Sequence, residues 1–208
     1  MSALFDVTPA TPPTRPRPVY LPTVYGLDLS LTCTGISNGT TAEALTPGDR
    51  DGHDRLEFHR QAIRERIPEE TSLVVIEGPA MALSYRPGVE EMTYLRGLIK
   101  HDLWKLRIPY AVCPPQHRII YACGVANPAK DYPKGQRHRV CKGMVRDAVV
   151  ARYGVPCDGK GRYDQADATI LAAMGLHWLG WPLAVVADSH RRALDGVTWP
   201  LNVPVVAR

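Results

Sequence analysis

No apolar run in this 208-residue chain approaches the roughly 20 residues that a membrane-spanning helix needs. Its first residues lack the basic-then-apolar pattern of a secretory signal, so a cytoplasmic protein without a membrane partner is expected. There is no C-x-x-C pair, and the five cysteines (Cys33, Cys113, Cys123, Cys141 and Cys157) are odd in number. Both facts speak against a disulfide framework. Cys123, His138 and Cys141 could lie near one another, but their spacing fits no zinc finger or ribbon. No internal repeat is visible.

A large net charge is missing as well: 25 Lys/Arg against 21 Asp/Glu leaves only +4. The charge is unevenly placed, however. Residues 86–162 hold 15 Lys/Arg against 6 Asp/Glu, a net of +9, and the rest of the chain carries −5. A basic segment beside an acidic one suits a nucleic-acid enzyme. Lys and Arg neutralise phosphates and release counterions, while carboxylates hold metal ions. Ordinary solvated helix faces are the plainer reading of any single basic residue.

What is present fits one domain with a real core, given the length and a 45% hydrophobic share. Residues 1–23 carry six prolines between Pro9 and Pro22, with Arg15 and Arg17, and read as an extended, disordered lead-in. Strands are expected at Val24–Asp28, 34–38, 40–45, Leu73–Glu77 and Tyr110–Cys113. Helices are expected at Gly52–Arg66, 88–106, 116–121, 140–153 and 164–179. Residues 124–139 are rich in Pro, Lys, Arg and His and read as a mobile basic loop. The domain is expected to span 24–181, with 182–208 as a tail that could dock as an extra strand or arm.

Three short pieces carry the chemistry. They are G-L-D-L-S-L-T-C-T-G (Gly26 to Gly35), L-V-V-I-E-G-P (Leu73 to Pro79) and D-Q-A-D-A (Asp164 to Ala168). Asp28 and Glu77 each end an apolar strand. Asp164 and Asp167 stand one helical turn apart, on one side of a helix start. N-capping is the plain reading of Asp164 but does not account for the other three. Brought together, four carboxylates cannot all stay ionised without a positive group among them. Hard divalent cations are the usual partner of such oxygen clusters. Two of them about 4 Å apart serve phosphodiester hydrolysis.

In this order the three pieces resemble the acidic motifs of the RuvC family of Holliday-junction resolvases, within the RNase H-like, retroviral-integrase superfamily. They are most similar to the shorter RuvC-like proteins of bacteriophages. Two departures stand out: Leu29-Ser30 follow Asp28 where the family usually has Pro-Gly, and the nearest aromatic after Glu77 is Tyr85. The resemblance covers roughly residues 24–180 and implies an α/β fold: an RNase H-like core with a five-stranded mixed sheet flanked by helices on both faces. It implies catalytic, metal-binding Asp28, Glu77, Asp164 and Asp167, with two Mg²⁺ ions per site and Mn²⁺ able to substitute. Lys142 resembles the family's lysine near the scissile phosphate, and Arg118 lies where the family has a basic residue near DNA. Tyr85, Arg86, Lys130, Lys134, Arg137 and Arg139 are further DNA-contact candidates. The family acts on four-way junctions as a homodimer, and helix 88–106 carries an apolar excess (Met92, Tyr94, Leu95, Leu98, Trp104) suited to such an interface.

Three rivals stay open. One is a nuclease of the same fold with another branched or RNA-containing substrate. Another is a DNA-binding protein that has lost catalysis. The third is an actin-like ATPase or sugar kinase, for which the chain is short and shows no second phosphate loop.

Overall fold

The computed structural model describes residues 21–79 and 88–201. The proline-rich lead-in up to residue 20, together with Tyr85 and Arg86, lies outside them. Five strands form one sheet: β1 (Val24–Asp28), β2 (Thr34–Ser37), β3 (Ala42–Leu45), β4 (Leu73–Glu77) and β5 (Tyr110–Cys113). Their order is β3-β2-β1-β4-β5. The β1-β2-β3 meander is antiparallel, and β4 and β5 add in parallel beside β1. The sheet is therefore mixed, as the resemblance implies.

The burial of β4 shows why. Leu73, Val74, Val75 and Ile76 all have no exposed surface, the mark of a strand covered on both sides. Its alternate residues enter different cores. Leu73 and Val75, with Val24, Ala111 and Cys113, pack against Tyr121, Val145, Ile170 and Met174. Val74 and Ile76, with Leu27 and Ile36, pack against Leu56, Ile63, Leu95 and Ile99. The second core is supplied by α1 (Gly52–Arg66) and α2 (Val89–Lys105). The first is supplied by α3 (Pro115–Cys123), α4 (Lys134–Tyr153) and α5 (Arg162–Trp178).

α5 is buried on all sides from Ala166 to His177, as expected of a helix that is apolar all round. Two glycines let it press on the sheet. A Cβ on Gly26 would stand 2.0 Å from the Ala168 carbonyl oxygen, and one on Gly35 would stand 1.9 Å from that of Asp164. Gly35 pairs with Asp28 across β1 and β2, so this close approach sets the first turn of α5 beside the end of β1.

Two expectations need correction. The basic loop ends earlier than predicted, because α4 begins at Lys134, so Lys134, Arg137, His138 and Arg139 are helical. Lys142 therefore lies in its third turn instead of at its start. The C-terminal segment forms α6 (Asp188–Arg191) and a 3₁₀ turn (Arg192–Gly196) that pack on α3. It continues to a single antiparallel bridge between Thr198 and Val112 and a stacked Trp178–Trp199 pair with centroids 4.7 Å apart.

Candidate active site

Strand alternation places Asp28 on the side of Val24 and Gly26, and Glu77 on the side of Leu73 and Val75. Both carboxylates thus face α3 and α5. They are neighbours too, because the parallel register of β1 and β4 runs to Leu27 opposite Ile76, one residue short of both acids. α5 adds Asp167, which is 2% exposed.

Among these acids sits Arg118 of α3, only 8% exposed. Its Nε donates to Glu77 Oε1 at 2.7 Å, and its Nη1 donates to Asp167 Oδ1. The guanidinium clips the end of β4 to the first turns of α5. Arg118, expected at a DNA-facing surface, is instead the counter-ion of the buried acids.

The fourth acid lies at the rim. Asp164 is half-buried there and accepts a hydrogen bond from the Cys33 thiol. Its charge also bears on Asp167, raising that acid. Burial, then the bond to Asp164, push the Cys33 thiol up to about 12.

The three acids share their charge unequally. Burial, followed by Glu77 and Asp167, raises Asp28 well above the ordinary carboxylate range. Burial would raise Glu77 too, but Arg118 and a hydrogen bond from Asp28 hold it below its usual value. Where two buried carboxylates meet, one charge is favoured over the other, and here Arg118 favours that of Glu77. Burial pushes Asp167 up to about 7 against the pull of Arg118. Burial alone would lower Arg118, and Asp167, Glu77 and Asp28 more than offset it.

A pH dependence follows. A raised carboxyl contributes stability below its unfolded value and loses it as pH rises through the folded one. In EDTA, Asp167 should lower the melting temperature as pH rises from its ordinary value of 3.8 to about 7, and add little above that. Asp167→Asn should flatten that slope relative to the wild type. Equal slopes in thermal melts of the two proteins would contradict the raised value.

The donors are of the right kind for a hard divalent cation: carboxylates alone, buried, and carrying more negative charge than one guanidinium balances. Asp28, Glu77 and Asp167 would hold it, with Asp164 within reach at the rim. Yet among the described residues no group of three His, Cys, Asp or Glu side chains is arranged to hold a metal ion, Cys123, His138 and Cys141 included. The acids are gathered around Arg118, not around an open coordination sphere.

No family model matches the chain, and no curated protein does. Solved structures do. RuvC from Thermus thermophilus superposes with a TM-score of 0.55 at 13% identity, over 78% of this chain and 99% of that one. The fold is the RuvC fold. T. thermophilus RuvC in complex with Holliday junction substrate gives a TM-score of 0.48 at 16% identity, over 72% of this chain and 90% of that one.

The other predicted residues among those described lie on α4 and in the segment before it. Lys142 is half-buried, its charge helps to lower Asp167, and its Nζ stands 5.8 Å from the centroid of the Tyr163 ring. Lys130, Lys134 and Arg139 are exposed. Arg137 is half-buried, with its Nε donating to the Tyr132 carbonyl oxygen at 2.8 Å. Tyr85 and Arg86 fall outside the described residues.

One residue escaped the sequence reading. Arg96 of α2 bears its charge on Glu77 and Asp28, and its Nε is buried with no hydrogen-bond partner among the described residues. A signal was there. Arg96 lies four residues after Met92 and three before Ile99, on the stripe that faces the core.

Proposed function

We propose that the chain is a metal-dependent, structure-specific DNA endonuclease that cuts branched DNA, with the four-way junction as its substrate. The observation that carries this reading is the meeting of Asp28, Glu77 and Asp167 at neighbouring strand ends and one helix of a RuvC-like fold. Two Mg²⁺ ions, or Mn²⁺ in their place, would supply positive charge at the scissile phosphate and acidify an attacking water. Asp164 at the rim would complete the ligand set. Lys142 would neutralise the phosphate, and Lys130, Lys134 and Arg139 would follow the DNA backbone, with Arg137, Tyr85 and Arg86 as further contacts. The similarity to RuvC-like proteins of bacteriophages belongs to this reading, as does action in the cytoplasm of a bacterial or phage-infected cell.

The test is incubation with Mg²⁺ and a four-way junction, a flap and a linear duplex of equal length. Paired nicks in the junction alone are expected. Cleavage of the flap instead would leave a nuclease but remove the resolvase. A second reading, a DNA-binding protein without cleavage, is favoured by Arg118 filling the space between Glu77 and Asp167. Tight junction binding with no product in Mg²⁺ or Mn²⁺ would select it.

Binding should weaken steeply with salt. Changing Lys130, Lys134 and Arg139 together to Ala should reduce the slope of log K against log salt by about one unit for each phosphate no longer neutralised. An unchanged slope in fluorescence anisotropy would mean that other residues neutralise the phosphates.

Paired cuts call for a homodimer, and α2 offers the surface. Leu95, Ile99 and Leu103 turn to the core, and Met92 packs beside it. Tyr94, Leu98 and Trp104 are 52%, 37% and 69% exposed, with His101 stacked on Trp104. The interface expected from the sequence thus reduces to three of its five residues. Leu98→Glu should yield a folded monomer in sedimentation, since Leu98 lies outside the core. Loss of the native far-UV spectrum would show that Leu98 supports the fold.

A further inference from the structure

Arg118 occupies a place from which one cation touches both Glu77 and Asp167. We propose that this guanidinium is a resident cation that a divalent ion displaces, so that metal loading releases Arg118 from the acids and turns it toward bound phosphate. The inference rests on the metal-centre reading above and adds an exchange step to it.

Three features of the site support the exchange. First, Arg118 and a metal would share ligands. Its Nε and Nη1 each bond one oxygen, of Glu77 and of Asp167 respectively, so a divalent ion held by those carboxylates would stand close to the guanidinium. Like charges at such range also repel. Second, the backbone beneath Arg118 is held. The Ala193 carbonyl oxygen takes a bond from His117 Nδ1, that of Tyr121 takes one from His190 Nδ1, and that of Ala122 takes one from Arg152. That of Gly124 accepts from Arg192. With α3 fixed along its length, the change falls to the Arg118 side-chain torsions. Third, a planar guanidinium fork suits carboxylate and phosphate alike. The released group therefore exchanges one anionic partner for another. Metal and phosphate would then strengthen each other's binding reciprocally.

The experiment uses the full wild-type chain. In EDTA the Nε–H resonance of Arg118, assigned by its loss in Arg118→Lys, should show the protection of a buried hydrogen bond. Mg²⁺ should shift it and remove that protection, with the midpoint found for metal binding by calorimetry. A resonance unchanged at saturating Mg²⁺ would overturn the exchange while leaving the metal centre standing. Absence of metal binding in every protein tested would overturn both.

Affinity gives a second arm. Arg118→Gln should bind Mn²⁺ about tenfold more tightly than the wild type, because no resident cation competes. Lys142→Gln removes a nearby charge that is not seated between the acids, and should change affinity by only about twofold. Equal gains in the two variants would show a general charge effect and overturn the exchange. Should Arg118→Gln fail to fold, the wild-type titration decides alone.

Discussion

Asp28→Asn, Glu77→Gln and Asp167→Asn should each lower metal-dependent junction cleavage by at least about 10³-fold, with junction affinity retained. A lost ligand removes several kcal/mol of charge stabilisation at the phosphate, and each 1.4 kcal/mol is roughly a factor of ten in rate. Affinity should hold because the proposed phosphate contacts are Lys130, Lys134 and Arg139, not these buried acids. The three variants should differ in stability without metal, however. Burial and the neighbouring Glu77 and Asp167 disfavour the charged form of Asp28, and Asn carries no charge, so the melting temperature of Asp28→Asn should hold or rise. Glu77→Gln should melt lower, because Glu77 is the acid that Arg118 holds in its charged form. Single-turnover cleavage, anisotropy and thermal melts in EDTA check the three statements. Full-rate cleavage by any one variant would remove that residue from the ligand set.

Gly26→Val should cost about 3 kcal/mol or more, a fall of roughly 6–12 °C in melting temperature for a chain of this size. The new Cβ would stand 2.0 Å from the Ala168 carbonyl oxygen and 2.6 Å from the Ala172 nitrogen, both helix backbone. Neither can rotate away, so α5 must move off the sheet and take Asp167 from Asp28. Cleavage should therefore fall with stability. Gly97→Ala is the control. Nothing lies within 4 Å of its added Cβ, and it should stabilise by about 0.5–1 kcal/mol through helix propensity. Equal melting temperatures for Gly26→Val and the wild type would mean that β1 and α5 are not packed backbone to backbone.

The early start of α4 has a physical cause. Residues 134–139 hold no apolar side chain, so hydrophobic periodicity does not mark them as helical. Lys, Arg and Gln are nonetheless good helix formers, and an apolar stripe is needed only where a helix touches a core. The first two turns of α4 are exposed or half-buried and need none. The C-terminal segment is hard to read for a related reason. Its ties to α3 and α5 are single bonds to carbonyl oxygens, one Trp–Trp stack and the buried Ala193, Leu194 and Val197, too short a run to read as a regular element.

The sequence by itself determined the strands, the order of the elements and the acids at their ends. Val24–Asp28, Leu73–Glu77 and Tyr110–Cys113 are legible because alternation and apolar runs act between near neighbours. The parallel pairing of β1 with β4 followed from the order of the elements, and it alone brings Asp28 to Glu77. Only the tertiary structure decided what balances those acids. Arg118 meets Glu77 across 41 residues and Asp167 across 49. No local pattern records such pairings. They depend on which buried carboxylate lies within reach of which cation once two glycines have let α5 down onto the sheet.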